Sequence, residues 1–182
     1  QPISRKQIFR GYYFGLSSAL SIAVAIGILL PIAVFRPGAL LDSSAWWILI
    51  FISVVLTFIF SGLACWISIR SENKLKGFGI GIFIWLFTAV LYDGLVLILL
   101  IAFESYPIEK LALGLTLSNP IDMGRVFLIF QLDYSALMGY TGAVFEKFFG
   151  TKTGAAIIVA AYALWIVTPV WMLLRSARKK DF

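Results

Sequence analysis

The sequence predicts a polytopic α-helical membrane protein, because of its composition, its long apolar runs and the placement of its charges. Of the 182 residues, 61% are hydrophobic and 13% are charged, whereas soluble domains carry about 25% charged residues. The mean hydropathy is +0.97. A membrane-spanning helix needs about 20 apolar residues, and four runs have that character: 12–35, 45–69, 78–103 and 156–174. We therefore expect an all-α bundle of four spans that forms one transmembrane domain over residues 1–182.

The basic residues predict how these spans are oriented. Ten of the fifteen lie before the first span, between the second and third, or after the fourth. Because cytoplasmic loops are enriched in Lys and Arg, both ends of the chain and the 70–77 loop are expected in the cytoplasm. This topology accounts for the net charge of +6, so the expected contact is membrane lipid and not nucleic acid.

The first two spans carry features typical of membrane helices. Gly11 and Gly15 form a GxxxG pair that is followed by several serines, and small residues of this kind let helices approach closely in lipid. The second span begins at a Trp pair, Trp46 and Trp47, and ends near Trp66. Indole rings are favoured at the membrane interface, so these positions agree with the predicted span ends.

The third span contains one charged residue, Asp93. Insertion scales assign a carboxylate at the centre of a membrane helix a cost of about 2.5–3.5 kcal/mol, so Asp93 needs a partner, a proton or a watery cavity. One interpretation is a structural contact with Tyr92, a serine or a backbone group of another helix, including one across a dimer. The other is that Asp93 lines a cavity that opens during a transport cycle.

The segment between the last two spans, residues 104–154, is too long and too apolar for an ordinary loop. Its apolar stretches, 126–132 and 135–149, are too short or too polar to cross a bilayer. Such stretches are typical of re-entrant or interfacial helices. Backbone at that depth must be hydrogen-bonded within the protein, so we expect an extracytoplasmic re-entrant region of short helices folded against the bundle.

The motif Asn119-Pro120-Ile121-Asp122 predicts a helix start inside this segment. Asn119 suits the N-cap, Pro120 suits the first turn, and Asp122 complements the positive end of the helix. Arg125 lies three residues after Asp122 and can pair with it. The motif is interpreted either as this structural feature or as a contact with an external partner.

Composition excludes most catalytic chemistry in this chain. There is no histidine, which excludes Ser-His-Asp and Cys-His catalysis and most zinc or copper sites. The soft metal ligands are scattered and are divided by the predicted topology; they are Cys65, Met123, Met138 and Met172. Two glycine-rich stretches lack the strand or the Lys-Ser/Thr pair that nucleotide-binding turns require. We expect no catalytic, metal or cofactor site, and Cys65 is expected to be a small buried hydrophobe.

Two stretches resemble the permease subunits of ABC-2-type transporters: Pro2-Ile3-Ser4-Arg5 followed by Gly11 and Gly15, and the Asn119-Pro120 motif. Three stretches carry a closer resemblance within that group: Leu91-Tyr92-Asp93, Asn119-Pro120-Ile121-Asp122 and the block 136–145, which includes Met138, Gly139, Tyr140 and Gly142. The last block is the most specific, and it indicates a resemblance over the whole chain to the NosY type of permease, which serves the maturation of nitrous oxide reductase. This family has six transmembrane helices per subunit, so the resemblance implies that the chain holds the last four and has lost its natural N-terminus. The family resemblance also implies that the membrane is the inner membrane of a bacterium.

The resemblance also implies partners. The subunit would be a homodimer that binds two copies of a cytoplasmic NosF-type ATPase, which carries ATP and Mg²⁺, and a periplasmic β-helical protein of the NosD type. ATP-driven motion would reach the periplasmic protein, which helps to assemble the copper centres of the reductase in denitrification. The scattered soft ligands favour force transmission over copper conduction. The candidate functional residues are Asp93, Asn119, Pro120, Asp122, Arg125, Met138, Gly139, Tyr140 and Gly142.

Two other functions are open at this point. A different ABC-2 exporter, for a lipid-linked, drug-like or polysaccharide substrate, would need a lateral or central cavity. A membrane scaffold or assembly factor would have no ATP-driven cycle, and its 135–149 stretch would bind another membrane protein. In each case the chain itself is expected not to be an enzyme, because Asp93 is the only acid inside a span.

Overall fold

The computed structural model describes residues 5–35, 38, 44–103, 109–131 and 152–177. Regular structure in these ranges is entirely helical: α1 Arg5–Phe35, α2 Ala45–Arg70, α3 Lys74–Leu86, a π-helical turn Phe87–Leu91, α4 Tyr92–Ala102, α5 Glu109–Ser118, α6 Pro120–Gln131 and α7 Lys152–Ala177. The predicted all-α class is confirmed.

Four helical stretches are long and apolar enough to cross a membrane: Arg5–Phe35, Ala45–Arg70, Lys74–Ala102 and Ala156–Ala177. The third comprises α3, the π-helical turn and α4, and it is called the third span below. The first stretch begins at Arg5 and not at Tyr12, because Arg, Lys and Gln are good helix formers and continue the helix beyond the apolar run. The fold is therefore that of a polytopic helical membrane protein, as predicted.

The helices form two packed units, residues 1–82 with 164–182 and residues 83–163. In the first unit α1 packs against α2. A core cluster at one end of these helices includes Tyr13, Cys65 and Leu173, from α1, α2 and α7 respectively. The Tyr13 hydroxyl donates a hydrogen bond to the Phe58 carbonyl at 3.2 Å. Cys65 is buried, as expected from its place in an apolar run.

The close approach of α2 to α1 and α7 in this unit depends on Gly62 of α2. A Cβ at this position would lie 3.2 Å from the Cβ of Pro169 and 3.4 Å from the Tyr13 ring. A Cβ at Gly11 or Gly15 would meet no atom within 4 Å in the described chain, so this unit does not use the GxxxG pair for packing, and its part in helix contact stays a prediction. The buried small residues of α1 are instead serines of the Tyr13 face, because positions four apart share one side of a helix.

The second unit is built on a helical hairpin, α5 and α6, joined by one residue. Both helices contact the third span: α5 packs on α4, and α6 packs on the π-helical turn. The hairpin core includes Ala112, Met123 and Val126, all buried. Ile158 and Tyr162 of α7 are also buried in this unit. The hairpin places most of the predicted functional residues of the described chain against the third span.

Candidate functional site

The third span departs from α-helical geometry just before Tyr92. The Tyr92 N–H donates to the Phe87 carbonyl, five residues back. In a regular α-helix this N–H would bond to the Thr88 carbonyl, four residues back. The Thr88 carbonyl instead accepts a hydrogen bond from Nδ2 of Asn119 at 2.7 Å. Turns of this type are rare and often occur at functional sites, and this one offers a backbone acceptor to the hairpin.

Asn119 forms the tip of the hairpin between α5 and α6. Its side chain is nearly inaccessible, with 1% of the residue exposed. Oδ1 accepts the N–H of Ile121 at 3.1 Å, and the Asn119 carbonyl accepts the N–H of Met123 at 3.0 Å. The predicted N-cap at Asn119, with Pro120 as first helical residue, is therefore confirmed. One amide both caps α6 and binds the π-helical turn.

Two tyrosine hydroxyls add contacts to the hairpin backbone. Tyr92 donates to the Leu115 carbonyl at 2.6 Å. This carbonyl belongs to the last turn of α5, where helix carbonyls lack an intrahelical partner. Tyr162 of α7 donates to the Pro120 carbonyl at the longer distance of 3.4 Å. Both helices of the hairpin are thus held near the tip by side chains of neighbouring helices.

The order of the contacts gives the direction of the hairpin. Along the hairpin sequence the pairs are Leu115 with Tyr92, Asn119 with Thr88 and Arg125 with Asp93. The partner position on the third span first moves back from 92 to 88 and then forward to 93. Hence α5 runs antiparallel to the span and α6 runs parallel to it. The two open ends of the hairpin lie toward the Ala102 end of the span.

Asp93 pairs with Arg125 of α6. The guanidinium Nη1 of Arg125 donates to Oδ2 of Asp93 and lies 3.3 Å from Oδ1 of Asp122. The exposed fractions of the side chains are 44% for Arg125, 35% for Asp93 and 14% for Asp122. Two carboxylates therefore share one guanidinium, and the group carries a formal charge of −1 when both are ionised.

The partner of Asp93 differs from those expected from the sequence. Tyr92 donates to a carbonyl of α5 and not to its neighbour, while the second carboxylate oxygen of Asp93 is buried without a hydrogen-bond partner in the described chain. The predicted pair between Arg125 and Asp122 is confirmed. Sequence spacing found that pair because it lies within one helix turn, whereas the ion pair across 32 positions needs the hairpin to be folded.

The environment of Asp122 changes its acidity. Burial raises its pKa from 3.8 to about 6, the neighbouring Asp93 carboxylate adds to the increase, and Arg125 opposes it. A carboxylic acid with this pKa changes its charge within the mildly acidic range, and its protonation relieves the excess negative charge around the arginine.

The raised pKa predicts a pH dependence of stability. Between about pH 4 and pH 6 the folded protein binds more protons at Asp122 than the unfolded chain does, so the stability that this group contributes is full below pH 4 and is lost as the pH rises through 6. We expect the melting temperature of the wild type to fall across this window. The fall in melting temperature per pH unit should be smaller in Asp122→Asn than in the wild type. It should be unchanged in the control Glu72→Gln, which replaces an exposed acid outside the hairpin. Equal slopes in the wild type and Asp122→Asn would contradict the assignment.

Metal ligands do not converge in the described part of the chain. No group of three or more His, Cys, Asp or Glu side chains lies close enough there to hold an ion. Met123 is fully buried in the hairpin core, and Cys65 is buried in α2 of the other unit. The predicted residues Met138, Gly139, Tyr140 and Gly142, with the rest of the 136–145 block and the 135–149 stretch, lie outside the described residues.

The sequence did not single out Thr88, Leu115 or Tyr162 as parts of the site. Thr88 and Leu115 contribute only main-chain carbonyls, and a carbonyl leaves no mark in the sequence. Tyr162 is one aromatic residue in an apolar helix, where Tyr is ordinary. The available signal was Tyr92, a polar-tipped side chain beside the one intramembrane acid, since buried hydroxyls normally find a hydrogen-bond partner.

Fold and site together define a class of protein: a multi-pass helical membrane protein in which a charged helical hairpin is joined to one span by an Arg–Asp pair. No protein-family model matches the chain. The chain is 26% identical over 175 residues to the probable ABC transporter permease protein NosY of Pseudomonas aeruginosa and 27% identical over 176 residues to that of Stutzerimonas stutzeri.

These alignments cover 93% and 94% of the chain but 60% of each relative. The chain therefore spans about three-fifths of the length of the curated relatives it matches. The aligned region takes in nearly the whole chain, so the likeness extends over the spans and the hairpin together. The predicted resemblance to ABC transporter permeases of the NosY type is confirmed.

Proposed function

We propose that this chain is part of the permease subunit of an ABC transporter that couples ATP hydrolysis on a partner subunit to maturation of the copper centres of nitrous oxide reductase. The observation that carries the proposal is the similarity to two NosY permeases over 93% and 94% of the chain. The subunit itself is a transport component and not an enzyme. ATP and Mg²⁺ belong to a NosF-type ATPase in the cytoplasm.

The hairpin is proposed to be re-entrant. At 1.5 Å per residue, α5 with 10 residues and α6 with 12 are about 15 and 18 Å long, roughly half of the 30 Å hydrocarbon core. The tip at Asn119 bonds to Thr88, which lies midway between Lys74 and Ala102. Both open ends point toward the Ala102 end, which the positive-inside rule places outside the cytoplasm. These observations support a hairpin that enters and leaves from the outer side.

The contacts between hairpin and span support force transmission. The Arg125–Asp93 pair and the Asn119 bond tie α6 to the third span, and the Tyr92 hydroxyl ties α5 to it. In a low-dielectric surrounding these groups have no water as an alternative partner, so parting them is costly. A displacement of the span driven from the ATPase side would therefore carry the hairpin with it.

On this proposal the outer surface of the moving region meets a periplasmic β-helical protein of the NosD type, and two copies of the permease form a homodimer. The subunit transmits force and does not conduct copper, because its soft ligands are scattered. Copper uptake into vesicles by the complete transporter that Met138→Ala abolishes would contradict this part of the proposal. Met123→Ala is less informative, since Met123 is fully buried and its truncation would leave a cavity.

The first experiment is gentle purification of the tagged complete protein in detergent, with mass spectrometry of what copurifies. We expect a cytoplasmic ATPase together with a periplasmic repeat protein. An ATPase without the periplasmic protein would replace the maturation function by that of a general exporter. The absence of both would contradict the transporter and indicate a scaffold. An unrelated tagged multi-pass protein from the same membranes controls for non-specific capture.

A further inference from the structure

A cleft in the first unit brings two arginines from different helices together. It has a volume of about 400 Å³ and is lined by Arg10 of α1 and by Trp171, Leu174 and Arg175 of α7. None of these four lining residues is acidic. Two arginines that line one small cleft give it a positive charge, and an anion bound there would offset that charge. The lining therefore has the chemistry of an anion site with one apolar wall.

The tryptophan fixes the orientation of one of the two cations. The guanidinium carbon of Arg175 lies 5.1 Å from the centre of the Trp171 ring, within the range of a cation–π contact. This contact holds the guanidinium beside the indole at the edge of the cleft. A planar fork of N–H donors matches two oxygens of a phosphate group. Leu174 and the indole supply the apolar surface beside that fork.

The cleft lies where a span meets the membrane interface. Arg10 and Arg175 are both exposed residues, one near the start of the first span and one near the end of the last. Trp is enriched at this depth, and basic clefts between membrane helices are suited to the head groups of anionic lipids. A free phosphate ion would satisfy the arginines equally but would leave the apolar wall uncovered.

A second cleft offers a useful comparison. It has a volume of about 500 Å³ and includes Trp66 and Arg70, whose cation–π distance is 5.8 Å. Trp and Arg are again four residues apart on one helix, so the same pairing occurs at the ends of two helices. This second cleft is also lined by Lys76 and by Glu72, and the Glu72 carboxylate offsets one of its two positive charges. The cleft at Arg10 and Arg175 is therefore the better anion site.

We propose that the cleft between α1 and α7 binds the phosphate group of an anionic phospholipid, with Arg10 and Arg175 holding the phosphate oxygens and Trp171 and Leu174 contacting the start of an acyl chain. A lipid bound there joins the first and last spans of the described chain through its head group. The site is separate from the hairpin, and the proposal does not depend on the transporter function.

The test is lipid binding by the complete purified protein in detergent, measured by native mass spectrometry and by melting temperature. We expect phosphatidylglycerol to bind and to raise the melting temperature, and phosphatidylcholine to do so much less. Arg10→Gln and Arg175→Gln should each weaken phosphatidylglycerol binding by about fivefold, the effect of one basic residue near an anionic surface. The matched control is Lys6→Gln, which removes one positive charge from α1 at a residue that does not line the cleft.

Two further measurements keep the result unambiguous. Arg175→Lys retains the charge but not the planar fork, so its loss of binding should be smaller than that of Arg175→Gln, and the stabilisation by lipid is measured for each variant against its own melting temperature without lipid. Millimolar inorganic phosphate should not reproduce the stabilisation. Equal binding of the two lipids, wild-type binding by the double variant Arg10→Gln/Arg175→Gln, or stabilisation by phosphate alone would each overturn the proposal.

Discussion

Replacing Arg125 with glutamine is expected to destabilise the hairpin by about 2 to 3 kcal/mol, because an unpaired carboxylate in a membrane helix costs that order of free energy. The substitution leaves Asp93 and Asp122 close together without the guanidinium that they share. One of the two carboxyl groups must then take up a proton. Reversible unfolding of the purified protein in mixed micelles measures the loss.

The charges of Arg125, Asp93 and Asp122 also predict which of their substitutions destabilises the hairpin most. Asp93→Asn leaves Arg125 paired with Asp122 as a neutral couple, so it should cost less than Arg125→Gln, about 1 kcal/mol, the usual contribution of one hydrogen bond. The double variant should cost less than the sum of the two single variants, because both remove the same contact. An additive double variant, or an Asp93→Asn cost equal to that of Arg125→Gln, would contradict the shared ion pair.

Replacing Asn119 with alanine is expected to cost about 2 to 3 kcal/mol. Loss of an N-cap contributes about 1 kcal/mol, and leaving the partly buried Thr88 carbonyl without its donor adds about 1 to 2 kcal/mol. If the proposed function holds, the hairpin of the complete protein would no longer follow the third span, and the fraction of mature reductase should fall. Unfolding in mixed micelles and a reductase maturation assay measure the two effects.

Two further variants separate the two roles of Asn119, which are to cap α6 and to bind the Thr88 carbonyl. Asn119→Ser keeps a capping oxygen but cannot reach Thr88 as a donor, so it should recover the cap contribution alone. Asn119→Asp also caps the helix but places an acceptor against the Thr88 carbonyl, and it should be worse than the serine variant. Ser118→Ala is the matched control, because its exposed hydroxyl bonds within its own helix to Gly114. If Asn119→Ser and Asn119→Asp are both as stable as the control Ser118→Ala, the bond to the π-helical turn has no energetic importance.

Most of the fold could be predicted from the sequence, since lipid leaves few choices. A long apolar run must satisfy its own backbone hydrogen bonds, and in a single segment only a helix does so. The helix start at Asn119 was also predictable, because an N-cap and an i, i+3 pair depend on neighbours within one turn. The GxxxG pair at Gly11 and Gly15 shows the limit: a spacing that permits close packing does not say which face of the helix meets a partner.

The sequence by itself determined the helical class of this protein, the approximate spans, the presence of a charge in the third span that needs a partner, and the capped start of α6. The tertiary structure alone decided that Arg125 is the partner of Asp93, that the backbone at Thr88 is open to the tip of the hairpin, and that α5 and α6 run back along the span. The physical reason is the distance along the sequence between the groups that interact. Helix formation and capping are set by residues within about four positions, whereas the ion pair and the bond to Thr88 join groups about thirty positions apart. Their formation depends on how the hairpin packs against the span, which no local pattern records.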